Sequence, residues 1–230
     1  MTDGKVDYEH QASEWGDQPM RRLYHSTAAS PGSDLVYFTG GLKGDGSGAI
    51  FNDFFAFDHL SSTFTSLPTL PRGIFHHASA LLPNGTLIVV GGASRSEQTG
   101  NAAVDPLSSI LVFDTTSTSP GWDERALGGQ PPSGRRGASL VLDQKGDKAF
   151  VFGGASSAAD QAYGDGWELD LQSCTWTQVA EDTQGGSIPD FDYDIADIPA
   201  GPGPRFDHSA IAVGGDQVLI FGGELARASQ

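Results

Sequence analysis

Four apolar runs along the chain each stop at a pair of glycines: LVYFTGG (35–41), LIVVGG (87–92), AFVFGG (149–154) and VLIFGG (218–223). Each is short and almost wholly apolar, as expected of a strand buried on both faces. Ahead of each lies a strand-like stretch behind an arginine: RRLYHSTAAS, RGIFHHASALL, RRGASLVL and RFDHSAIAV. Behind the first three come FFAFDHLSSTF, ILVFDTTSTSPGW and WELDLQSCTW. Each of these holds an aromatic or apolar strand, an aspartate, a polar turn, and then Phe64, Trp122 or Trp176. One unit therefore predicts four short strands, repeated at the spacing of propeller blades, with loops absorbing the drift in spacing.

Each recurring feature has a physical reason. The glycine pair permits positive φ and close approach of a neighbouring backbone where strands converge. The aspartate accepts hydrogen bonds from turn amides. Phe64, Trp122 and Trp176 each offer a broad apolar face to fill the gap between adjacent sheets. The pattern places Val36, Val89, Val151 and Leu219 in strands near a common axis, and Phe57, Phe113 and Leu169 in third strands. Asn84-Gly85-Thr86 has the form of a glycosylation sequon, but between LLP and LIVV it reads first as an Asn-Gly hairpin turn.

The order R-x-x-H-S, apolar-Gly-Gly, aromatic-x-x-D, then Trp or Phe resembles the kelch repeat of the galactose-oxidase-like β-propellers. The resemblance runs over about residues 17 to 223, and its flavour is that of fungal kelch proteins. It implies an all-β chain and a partial kelch-type propeller, with complete four-stranded units at about 21–67, 71–125 and 132–179. A partial unit spans about 204–224. Residues 1–16 form a polar segment in which Trp15 resembles the outer strand of a preceding blade. Kelch rings close with about six or seven blades, and propellers in general with about four to eight. The expectations are a fragment of a longer chain or assembly of two chains into one ring; either exposes blade edges prone to self-association.

Composition narrows the function. The chain has 230 residues with 31 glycines and 13 prolines, which suits many turns. Its formal net charge of −16 argues against general nucleic-acid binding, which needs clustered Lys and Arg. No apolar run is long enough to span a bilayer. Cys174 is the single cysteine, so no intrachain disulfide forms. Residues after Met1 lack the apolar stretch of a secretory signal, while the acidic balance and the fungal-kelch resemblance lean towards an extracellular or cell-surface parent protein.

The arginines Arg22, Arg72, Arg136 and Arg205 are the candidate binding residues. Each precedes an innermost strand, so together they cluster at the rim of a central channel, where guanidiniums take carboxylates bidentately. The competing role is structural, with each arginine bonding a neighbouring blade's carbonyls or aspartate. Tyr24-His25 invites comparison with the copper ligands of galactose-oxidase-like enzymes. Similar pairs return at Phe75-His76 and Asp207-His208, however, which suits a blade-packing element, and Cys174 lies in an outer turn. Asp190, Asp192, Asp194 and Asp197 offer oxygens for Ca²⁺, without the glycine and glutamate of an EF-hand loop. No GxSxG, HExxH or phosphate-binding glycine loop occurs.

The expected function is a non-catalytic binding or scaffold module for a protein or glycan partner, with no cofactor and no metal. The alternatives are a copper radical oxidase, and a kelch-type lyase or isomerase acting on a small molecule.

Overall fold

In the computed structural model, residues 18–29, 32–94, 103–156, 161–181, 202–213 and 217–224 are described, and no helix occurs among them. The chain runs through β1 (Arg22–Leu23), β2 (Ser26–Ala28), β3 (Leu35–Thr39), β4 (Leu42–Lys43), β5 (Phe54–Asp58) and β6 (Thr63–Leu67). Next come β7 (Ala78–Leu81), β8 (Thr86–Val90), β9 (Ser109–Asp114), β10 (Trp122–Ala126) and β11 (Gly128–Gly129). The last are β12 (Ser139–Leu142), β13 (Lys148–Phe152), β14 (Gly166–Asp170), β15 (Thr175–Ala180), β16 (Ser209–Ala212) and β17 (Val218–Phe221).

These strands make antiparallel meanders β2-β3-β5-β6 and β7-β8-β9-β10, and β12-β13-β14-β15 repeats the pattern. The fourth sheet has only β16 and β17 among the described residues. The third sheet has five strands rather than the expected four, because β11 pairs in parallel with β15. A glycine is required there: Gly129 has φ +78°, and a Cβ on it would lie 2.7 Å from the Trp176 carbonyl oxygen. Trp15 and the four aspartates of 190–197 lie outside the described residues.

Local chemistry closes the hairpins as the repeat anticipates. Asp58 Oδ1 accepts from Leu60 N at 2.8 Å, Asp114 Oδ1 from Thr116 N at 2.9 Å, and Asp170 Oδ1 from Ser173 N at 2.7 Å. All three carboxyls are held below the usual carboxylate range, Asp58 chiefly by the Ser61 amide, Asp114 by the Thr116 hydroxyl and then its amide, and Asp170 by the Ser173 amide. Asn84 Oδ1 accepts from Thr86 N at 3.0 Å and Gly85 has φ +83°, which is the Asn-Gly turn.

The core lies between sheets. Tyr37, Phe54 and Ala56 of the first sheet bury against Leu87, Val89, Leu111 and Phe113 of the second. Trp122 seals that seam, with its ring centroid 5.1 Å from that of Phe54 and its Nε1 donating to the Pro68 carbonyl at 2.9 Å. Ile88, Val90, Ile110 and Val112 then face Val151, Leu169 and Trp176 of the third sheet, with Trp176 Nε1 donating to the Leu107 carbonyl at 2.7 Å. The second sheet thus packs one face on the first sheet and the other on the third. The first strands β2, β7, β12 and β16 contact one another in sequence on the inside of this arc.

Candidate binding site at the inner mouth

The residues entering the four first strands share an unusual backbone conformation. Tyr24, His76 and Asp207 have φ of 56°, 52° and 53°, and Gly137 stands at the same place in the third unit with φ 64°. Non-glycine residues seldom occupy this left-handed region. A backbone ladder holds them: His76 N donates to Tyr24 O at 2.9 Å, Gly137 N to His76 O at 2.8 Å, and Asp207 N to Gly137 O at 2.8 Å. One residue from each unit is therefore stitched to the next through the main chain.

Side chains build on this ladder. The half-exposed Tyr24 ring stacks on His76 at 3.6 Å between centroids. His76 Nδ1 bonds Asp207 Oδ1 at 2.9 Å across the space left by Gly137. Gly137→Ala should cost about 1–2 kcal/mol in the left-handed region, and its Cβ would lie 2.5 Å from Asp207 Oδ1. Thermal unfolding of that variant should show the loss, whereas Gly121→Ala, with nothing near its Cβ, should leave the midpoint nearly unchanged.

The next position along holds His25, His77, Ala138 and His208. His77 Nε2 bonds Thr39 Oγ1 at 2.7 Å, and His208 Nε2 bonds Ser139 Oγ at 2.8 Å, so each reaches back to the preceding unit. Burial, then the nearby imidazoles of His25 and His76, pushes the His77 pKa down to about 3. Burial and the Arg205 charge push His208 down to about 4. Burial and the Arg22 charge also lower His25. All three imidazoles are therefore neutral at pH 7. With Tyr24, His76, Gly137, Ala138 and Asp207 they line an open cleft of about 140 Å³.

The arginines lie behind this cleft. Arg22 forms a bidentate pair with Asp53 and donates to the Gly40 carbonyl at 2.8 Å. Arg135, almost wholly buried, pairs bidentately with Asp165 at 2.5 and 3.0 Å and donates to the Gly153 carbonyl at 2.9 Å. Arg205 donates to the Gly222 carbonyl at 2.7 Å and also to Pro202. Each arginine thus bonds its own unit, not a neighbouring one. In the third unit the recurring residue is Arg135, not Arg136. The Arg135 carbonyl accepts from Gly92 N as those of Ile74 and Arg205 accept from Gly41 and Gly154.

Arg136 instead bridges Ala155, in the place held elsewhere by Leu23, Phe75 and Phe206. In the second unit the recurring position is Ile74. Arg72, two residues earlier, pairs with Asp105 at 2.8 and 3.1 Å. The carboxyls respond differently. Burial raises Asp105 and Arg72 offsets only part of that, whereas at Asp165 the effect of burial is overcome by Arg135 and the Trp167 indole, which lower it.

The structure also realigns the histidines. The sequence paired Phe75-His76 with Tyr24-His25, but backbone conformation pairs His76-His77 with Tyr24-His25 and Asp207-His208. Counting back from the small residue that opens each first strand (Ser26, Ala78, Ser139, Ser209) gives this alignment from sequence. Cys174 sits in the β14–β15 turn of the third sheet with φ 55°, whereas Tyr24 precedes β2 of the first.

Stacked four-stranded meanders with their first strands on the inside of an arc define a β-propeller. The KLHDC2/KLHL20/DRC7 Kelch-repeats domain family matches residues 9–196 and again 76–229, and the chain belongs to the kelch-repeat family. It is 31% identical over 217 residues to Adagio-like protein 3 of Oryza sativa subsp. japonica, matching 90% of this chain and 30% of that protein. It is 28% identical to Acyl-CoA-binding domain-containing protein 5 of Arabidopsis thaliana, with 90% and 29% covered. The chain therefore spans under a third of the length of these relatives. A solved structure titled Structure of YjhT superposes with a TM-score of 0.64 at 18% identity, covering 88% of this chain and 59% of that one, which is likeness of fold.

Proposed function

We propose that this chain is a non-catalytic binding module that holds a protein partner against the inner mouth of the arc. The observation that carries the reading is the ladder through Tyr24, His76, Gly137 and Asp207. It fixes side chains of successive units in a strained conformation around one open cleft. Left-handed non-glycine residues cluster where the surrounding structure has a use for them, notably at ligand clamps.

The chemistry of the cleft favours a partner segment with a cationic side chain. Asp207 presents its carboxylate and Tyr24 its ring, a combination that takes guanidinium or ammonium by charge and by cation–π contact. The His25, His77 and His208 imidazoles are neutral, and Arg22 and Arg135 are already paired with carboxylates. The net charge of −16 steers basic partners towards the chain.

A second reading rests on Arg205, whose described bonds are all to carbonyl oxygens, leaving its charge available to an acidic segment. A peptide array with basic, neutral and acidic members separates the two. Basic peptides should bind, with at least tenfold weaker affinity after Tyr24→Ala or Asp207→Asn. Binding of acidic peptides that is lost with Arg205→Ala would favour the second reading. Binding unaffected by all three variants would remove both.

A further inference from the structure

At two of the seams between sheets an imidazole fills the corner beside a glycine pair. A Cβ on Gly40 would lie 3.1 Å from His77 Cε1, and one on Gly153 would lie 2.9 Å from His208 Cε1. Each ring is fixed by a hydroxyl of the preceding unit, Thr39 for His77 and Ser139 for His208. The middle seam lacks both halves of this arrangement. Ala138 stands where the histidine would, one residue after Gly137. Ala78 pairs with Val90 as Ser26 does with Thr39 and Ser139 with Phe152, so neither hydroxyl position carries a hydroxyl here. What remains is a slot of about 10 Å³ lined by Ala78, Val90, Gly91, Leu107, Ala138 and Val151, about the room of one water molecule. The polar side chains on its wall are already engaged: Ser139 with His208, Arg135 with Asp165, and His76 with Asp207. The surface left over is apolar. His76 and Ala138 line both this slot and the open cleft of the mouth, so the two adjoin.

We infer that the slot at Ala138 is a specificity subsite for the partner segment held at the mouth, taking a methyl group of a small aliphatic side chain beside the cationic one. The inference rests on the proposed binding of a basic segment in the cleft. Asp207 and the Tyr24 ring hold the cation there, and the slot selects its neighbour. An alanine or valine puts a methyl group into the slot, a glycine leaves it empty, and a phenylalanine is too bulky to enter. An aspartate would bring a charge against apolar walls and lose its hydration without a partner.

Isothermal titration of the chain with basic peptides that differ only beside the cationic residue tests this. Peptides with alanine or valine there should bind about fourfold more tightly than the glycine peptide, the gain from one buried methyl group. Aspartate and phenylalanine peptides should gain nothing over glycine. Ala138→His with Val90→Thr rebuilds the pair that His77 makes with Thr39 and closes the slot, so the advantage of alanine over glycine should disappear. Ala138→Val closes the slot with methyl groups and should have the same effect. Circular dichroism should show both variants folded, and the wild-type comparison decides the matter if either unfolds. Asp207→Asn, by contrast, should weaken every peptide alike. Equal affinity of the alanine and glycine peptides for the wild-type chain, or a preference that survives in the folded variants, would overturn the inference and leave the basic segment at the mouth. Failure of every basic peptide to bind would overturn both.

Discussion

Arg135→Met should lower stability by about 3–5 kcal/mol, the cost of leaving a buried carboxylate without its partner. Asp165 accepts both guanidinium nitrogens of Arg135 and also the Trp167 indole N–H at 2.6 Å, so protonating it would disturb a third group. The double variant Arg135→Met with Asp165→Asn should recover about 1–3 kcal/mol of this. No charge is then left inside, and the amide oxygen still accepts from Trp167. The second unit shows that the fold accepts an apolar residue here, because Ile74 holds the same place and is buried. Chemical denaturation of the three proteins checks the order. A single variant as stable as the wild-type chain would show that the pair is not what holds this corner.

Stability should fall steadily as pH is lowered from about 6.5 towards 4. His77 titrates near 3 in the folded chain and at 6.5 when exposed, so across that window the unfolded state binds a proton that the folded state refuses. Its contribution is whole above pH 6.5 and is lost at roughly 1.4 kcal/mol per unit as pH falls. His208, at about 4 when folded, acts with the same sign over a narrower window. Asp105, raised by burial, works the other way and gains on protonation. His77→Gln keeps a partner for Thr39 Oγ1 and has no proton to refuse. Its unfolding midpoint should therefore depend less steeply on pH between 6.5 and 4, and equal slopes in the two proteins would refute the assignment.

Much of this architecture is written in the sequence because its signals are local and repeated. The glycine pairs end every second strand, and the aspartates close every third-to-fourth hairpin. Trp122 and Trp176 lie between sheets, where their broad apolar faces are buried. What escaped the sequence are offsets of one or two residues. Arg135 and Arg136 are indistinguishable as letters, and only the carbonyl that accepts from Gly92 tells them apart. His76 and His77 pose the same difficulty, and the positive φ of His76 decides it. Arg72 follows the motif by type but not by place, since Ile74 has taken the position and the ion pair has moved outwards. The parallel strand at Gly128–Gly129 leaves no periodic trace, being two glycines in a linker.

The main-chain ladder at the mouth has a consequence for how such a surface changes over generations. Because peptide groups do the joining, the side chain at each rung is not needed to hold the units together. Tyr, His, Gly and Asp stand at equivalent rungs with nearly the same φ. The rungs still act on one another at the surface, because Tyr24 stacks on His76 and His76 bonds Asp207. Drift at these four positions can rewrite what the surface reads while the backbone remains the same page.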